Sequence, residues 1–188
     1  MANNLSRDRQ AITMAIQQWL EQVVIGLNLC PFAASPYRNQ QITIQVSMAH
    51  TEEALLNDLI AELRLLDQLS PEQLETTLLV TPFLLSDFED YNEFLGQVDE
   101  LLVQFGWEGQ YQVASFHPHY RFAGTQSDDI ENLTNRAPYP ILHILREASI
   151  SRALTSYTNP EAIPETNIQT VTQLNEQDVK RLFPFLFE

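Results

Sequence analysis

The chain has 188 residues, 44% hydrophobic and 19% charged, enough apolar material for one substantial core and ordinary for a globular protein. Its formal charge of −15 opposes attraction to nucleic acid phosphates and to anionic lipid, so neither is an expected partner. The apolar run at 23–27 is far too short to span a bilayer, and residues 1–10 are polar and lack the apolar stretch of a secretory signal.

The expected address is therefore the cytoplasm, and the single cysteine, Cys30, agrees with a reducing compartment because it has no partner for an intramolecular disulfide. One domain is expected over 1–188, with 1–10 a flexible N-terminus and 158–188 an extension lying on the body. No sequence feature calls for a homo-oligomer, and none forbids one.

Residues 6–27 carry Ile12, Ile16, Trp19, Val23 and Leu27 at steps of three and four, which predicts a helix with Ser6 as its N-cap. At 41–47, Ile42, Ile44 and Val46 alternate with Thr43 and Gln45, the period of a half-buried strand. Thr51 is an N-cap candidate with Glu52 and Glu53 in the first turn, and Leu55, Leu59, Leu63 and Leu66 form the stripe of a second helix. The run TLLVT at 77–81 fits a strand buried on both faces, closed by Pro82.

Ser86 and Glu89 form a capping box for a third helix, whose stripe runs Phe88, Tyr91, Leu95, Val98, Leu102 and Phe105 before Gly106 ends it. A third strand is expected at 111–116, leading into His117-Pro118. Beyond it, 125–138 reads as a long loop and 140–154 as a helix with Pro140 in its first turn. The tail at 158–166, with Pro160 and Pro164, should run irregularly over the surface. A last short helix is expected from the N-cap candidate Asn175 to Phe183, stopped by Pro184.

This order predicts an α/β fold: a small, mostly parallel sheet of three or four strands with helices lying on it. Ligands of such open sheets commonly bind outside the carboxyl ends of the strands, here near Ser47, Pro82 and His117. The five glycines, at 26, 96, 106, 109 and 124, allow neither a Walker loop nor a GxGxxG turn, so no standard nucleotide-binding motif is present. HExxH, GxSxG, CxxC and EF-hand patterns are also absent.

Residues able to carry chemistry gather between 115 and 147. His117 and His119 have the HxH spacing that puts both imidazoles on one face of an extended chain; His143 and Glu147, at i and i+4 of the expected helix, would share another. Together these four could hold a divalent transition metal. The competing reading makes His117 a partner of the local backbone, leaves His119 in solvent and takes His143 with Glu147 as a surface pair.

Arg121, Arg136 and Arg146, with Asn135 and Tyr139, form a candidate site for a small anion such as a carboxylate or phosphate. His117 and His143 would then supply acid–base chemistry. Alternatively the arginines pair with Asp128, Asp129, Glu131 and Glu147 and only tie the loop down. Cys30 would be a catalytic thiolate if it caps a short helix opened by Pro31, or a small core residue among Leu27, Leu29 and Phe32. The prolines at 138 and 140 stiffen the run between Asn135 and Ile141.

Three stretches, GLNLCPFA at 26–33, ASFHPHYRFAG at 114–124 and TNRAPYPILHILRE at 134–147, resemble the DUF1415 family of bacterial and plant proteins of unknown function, and TTLLVTP and DFEDYNEFL fit it too. The resemblance covers most of 15–170. Its motif there is HPxY, so His119 stands at the variable place. The resemblance implies no activity, and the expectation remains an enzyme acting on a small anion or, in the other class, a non-catalytic binding or assembly protein whose acidic helices form a partner surface.

Overall fold

The computed structural model describes residues 2–155 and 157–187, with side chains from Asp8 onward. Helix α1 (Ala2–Trp19) begins before Ser6, so Ser6 lies within the helix and is not its cap; its side chain falls outside those described. The helix continues as one wider π-type segment, Leu20–Ile25. Gly26 closes that segment because a methyl group there would come within 2.3 Å of the Gln22 carbonyl oxygen. Residues 31–33 form turns and α2 (Ala34–Arg38) follows, so its N-cap is Ala33 and not Cys30.

Strand β1 (Ile42–Val46) leads to α3 (Glu52–Gln68), capped as expected by the Thr51 hydroxyl, which accepts the Ala54 N–H at 3.3 Å. All five residues of β2 (Thr76–Val80) are buried. The N-cap of α4 (Phe88–Gln104) is Asp87 rather than Ser86: its carboxylate accepts the Glu89 and Asp90 N–H groups, and a charged acceptor there also meets the helix dipole. At the other end Gly106 takes φ +73 while its N–H and that of Trp107 return to Val103 and Leu102, a Schellman closure.

Strand β3 (Tyr111–Phe116) lies where expected, but the segment after Pro140 does not form one helix. Residues Ile141–Arg146 form β4, and α5 (Glu147–Thr155) starts only after it. The spacing of Ile141, Ile144 and Leu145 fits either period, and short apolar runs do not discriminate. Two open strand edges decide the matter. Strand β4 enters between β2 and β3, antiparallel to both, in the order β1-β2-β4-β3, while β1 and β2 are parallel. The sheet is therefore mixed, not mostly parallel.

Tail segments expected to be irregular are also ordered. Pro160 opens a 3-10 turn and Pro164 the first turn of α6 (Ile163–Thr172), positions where a missing N–H costs nothing. Within the expected long loop, Ile130–Asn135 forms a 3-10 helix. Helix α7 (Glu176–Leu182) is capped by Asn175 as expected.

Side-chain alternation divides the core in two. Leu79, Leu142 and Ile144 face α3 and α4, where Leu55, Leu59, Leu63, Leu66, Tyr91 and Phe94 are fully buried. Leu78, Val80 and Ile141 face α1, together with Val171, Leu182 and Phe183 of the C-terminal helices. Each such aliphatic side chain contributes roughly 1.5–3 kcal/mol on burial. No helix among the described residues is long and apolar enough to cross a membrane.

Candidate functional site

Because β3 points the same way as β1 and β2 while β4 runs against them, one end of the sheet collects three strand carboxyl ends and the start of β4. Tyr91 ties that end together from α4. Its buried hydroxyl donates to the Ile141 carbonyl at 2.7 Å and accepts the Phe116 N–H at 3.2 Å, and burial pushes its pKa well above the usual phenol value.

His117, the next residue after β3, is fully buried against Phe88 and Tyr91. Its Nδ1 accepts the His119 N–H at 3.0 Å, which leaves the proton on Nε2 to donate to the Leu85 carbonyl at 3.0 Å. Desolvation pushes its pKa down to about 4, the Leu85 carbonyl pulling the other way. Both ring nitrogens are thus occupied in the neutral imidazole. The contact also secures Leu85 at φ +59, a left-handed conformation that is uncommon for a residue of this size. His119 is exposed, its ring 5.9 Å from that of His117.

Asn135 extends β3 from outside: its amide donates to the Ser115 carbonyl at 3.1 Å and its carbonyl accepts the His117 N–H at 3.2 Å. The adjoining Arg136 is half-buried and its carbonyl accepts the Trp19 indole N–H at 2.9 Å. The Arg136 guanidinium donates to the Tyr120 carbonyl at 3.3 Å and to the Ser127 carbonyl, holding the 120–127 turn at two points. Asn132, which no sequence pattern marked, braces that turn from within through the Phe122 N–H, the Thr125 hydroxyl and the Gln126 carbonyl.

Among the described residues Arg136 has no carboxylate within ion-pair distance, and burial is the one influence that lowers its pKa. Among the described residues no arginine pairs with Asp128, Asp129, Glu131 or Glu147; Arg136 ties the loop through carbonyls. Arg121, on the same turn, reaches Glu89 at 2.8 Å in an exposed pair. The two border a surface depression of about 310 Å³, walled by Phe88, Phe122, Gly124 and Thr125.

The other expected residues lie elsewhere. His143 is in β4, on the α1 side of the sheet, opposite Leu78 and Ala114 and 6.1 Å from the Phe116 ring. Thr76 donates its hydroxyl to the Ile144 carbonyl at 2.5 Å, so it accepts from His143 Nε2 at 2.8 Å. Desolvation pushes this histidine down to about 4 as well. Glu147 does not share a helical face with it, since β4 ends at Arg146 and carries Glu147 to the far end of the sheet, about 20 Å from Ile141 at 3.3 Å per residue. Among the described residues no group of three His, Cys, Asp or Glu side chains stands together as a metal ion would require.

Arg146 is at that far end too, where it donates to the carbonyls of Leu66 and Leu69 at 2.7 and 2.8 Å and of Leu74 at 3.0 Å. Tyr139 lies with the α1-side core, as does Cys30. Phe32 and Ala33 direct their N–H groups at the Cys30 thiol, but burial outweighs them and raises its pKa, which favours the thiol over the thiolate.

A family model described as a protein of unknown function, DUF1415, matches residues 11–181. The chain belongs to the DUF1415 family. No curated protein and no solved structure matches it. The buried His117, the Asn135–Arg136 brace and the turn they support all fall inside the DUF1415 match.

Proposed function

We propose that this DUF1415 chain binds a small anionic molecule in the depression beside the 120–127 turn, with Arg121 as the contact group and Arg136 supplying positive charge from behind. The observation that carries the reading is Arg136, a half-buried guanidinium held by carbonyls and lacking a carboxylate partner among the described residues, in a chain of net charge −15. An unpaired buried charge is unfavourable, and a bound anion would compensate it. Arg121 is free to change partners, because an exposed pair such as Arg121–Glu89 contributes only about 0–1 kcal/mol. A carboxylate or phosphate that accepts two parallel N–H bonds would compete well with Glu89.

If the bound molecule is also transformed, His119 is the imidazole able to exchange a proton with it. His117 has both nitrogens engaged and His143 lies on the other side of the sheet. The metal reading has no comparable support.

Thermal unfolding with inorganic phosphate and with citrate tests the proposal. A ligand at a hundred times its Kd stabilises by about 2.7 kcal/mol, a readily measured rise in Tm. The rise should shrink in R121Q, vanish in R136Q and partly survive in R136K, which keeps the charge. Equal shifts in wild type and all three variants, or none in wild type, would overturn it. Unchanged anion binding in H119N, with substrate turnover lost, would assign the proton exchange.

A further inference from the structure

Farther along α4 from the depression, α3 and α4 leave a groove of about 470 Å³ between them. Its floor is apolar, formed by Leu56, Ile60, Leu101 and Phe105, and Phe105 is 42% exposed. Glu52 and Glu53 stand at one end, where Glu52 accepts a hydrogen bond from Gln97 at 2.7 Å across the groove. Glu93 and Glu100 fall on the same side of α4 as Gln97 and Gln104 by helical spacing, so they continue the acidic rim. Between 51 and 108 there are fourteen carboxylates and one basic residue, Arg64.

We infer that this groove is a docking surface for a basic amphipathic helix of a partner protein. The floor is buried or half-buried apart from the exposed Phe105, and bordered by charge of one sign it suits a complementary apolar and basic surface. The lining from Glu52 to Ile60 covers eight helical steps, about 12 Å, which matches two turns of a partner helix bearing anchors at i, i+3 or i+4, and i+7. Lysines or arginines flanking those anchors would meet Glu53, Glu93 and Glu100. A second copy of this chain is disfavoured as occupant because it would bring the same carboxylates to the contact. Arg64 lies one turn beyond Ile60 and sets the direction, so the partner's positive charge should concentrate toward Glu52 and Glu53.

The test uses the intact chain and a labelled Leu/Lys peptide of about fourteen residues, four helical turns, with leucines at i, i+3, i+4 spacing. Its isomer of scrambled order, with the same charge, serves as the reference. Fluorescence anisotropy should show the amphipathic peptide binding roughly tenfold more tightly than the isomer, a difference of about 1.4 kcal/mol. Phe105→Ser should remove that preference, and Glu100→Lys should weaken binding most at low salt, with both variants retaining the wild-type circular dichroism. Equal binding of the two peptides would reduce the groove to general polyelectrolyte attraction and overturn the inference. So would absence of binding, insensitivity to both substitutions, or a monomer–dimer equilibrium of the protein alone that Phe105→Ser abolishes.

Discussion

The two ends of the sheet each carry a partly buried arginine held by main-chain carbonyls, and they differ in what surrounds the charge. At the end where β4 finishes, Arg146 sits on the last carbonyls of α3, the negative pole of that helix, with its guanidinium carbon 5.8 Å from the centre of the Tyr111 ring. Asp67 stands behind, accepting from Tyr111 at 2.9 Å and from the Trp107 indole at 2.7 Å; burial and then that carboxylate push the Tyr111 pKa up to about 12. At the end where β3 finishes, the Arg136 guanidinium donates to loop carbonyls, and among the described residues no carboxylate lies within ion-pair distance of it. The same side chain is held by the end of a long helix at one end of the sheet and by loop carbonyls at the other, and the anion proposal rests on that second setting.

Truncation should expose that contrast most strongly. Arg146→Ala leaves several carbonyls at the end of α3 without a donor, and at about 1–3 kcal/mol for each buried orphan the expected loss is on the order of 3 kcal/mol in urea unfolding, with the anion response intact. Arg136→Gln should cost about 1 kcal/mol, since water can reach the 120–127 turn, but should abolish the anion response. An Arg146→Ala protein as stable as wild type, or one that had lost anion binding, would break the comparison.

Acid should act next, and mainly through the two buried or partly buried histidines. Both His117 and His143 have folded-state pKa values near 4, below the 6.5 of an unfolded chain. Between those values the unfolded state binds protons that the folded state refuses, so stability is fully present above pH 6.5 and falls as pH drops toward 4. With each pKa unit worth about 1.4 kcal/mol, the expected loss by pH 4 is at most about 3 kcal/mol per histidine. H143N keeps a donor for Thr76 and should remove its share of the slope; a slope unchanged in H143N would show that His143 is protonated equally in both states.

The smallest effect belongs to the middle of α3. One carboxylate oxygen of Glu62 and the hydroxyl of Thr77 are buried without a close hydrogen bond, and burial raises the Glu62 pKa although the nearby Thr77 hydroxyl pulls the other way. A raised carboxyl pKa makes the ionised form unfavourable in the folded state, so its cost appears as pH rises. Glu62→Gln supplies a neutral amide and should stabilise by about 0.5–1 kcal/mol at neutral pH, the gain fading in acid. A gain independent of pH would assign it to local hydrogen bonding and not to charge.

Much of this architecture was legible in the residues. The leucines of α3 recur at helical spacing, Thr51 and Asn175 offer short side-chain oxygens to N–H groups that nothing else can satisfy, and β2 is apolar throughout because both its faces are covered. Such features depend on neighbours a few positions away. The motif stretches likewise identified the family, whereas the candidate residues between 115 and 147 are spread by β4 over both ends of the sheet.

What the sequence could not determine depended on partners distant in the chain. Whether 141–146 coils or extends turns on two strand edges, one of them more than sixty residues earlier, as the Leu78–His143 pairing illustrates. That choice put His143 inside β4 and Glu147 beyond its end at the start of α5, dissolving their apparent pairing on one helical face. His117 looked available by composition and became occupied only when Leu85 and the His119 N–H closed on it. Arg136 and Arg146 read alike along the chain; tertiary structure set Arg146 on the end of α3 and Arg136 on the carbonyls of the 120–127 turn, because electrostatics depends on what folding brings near.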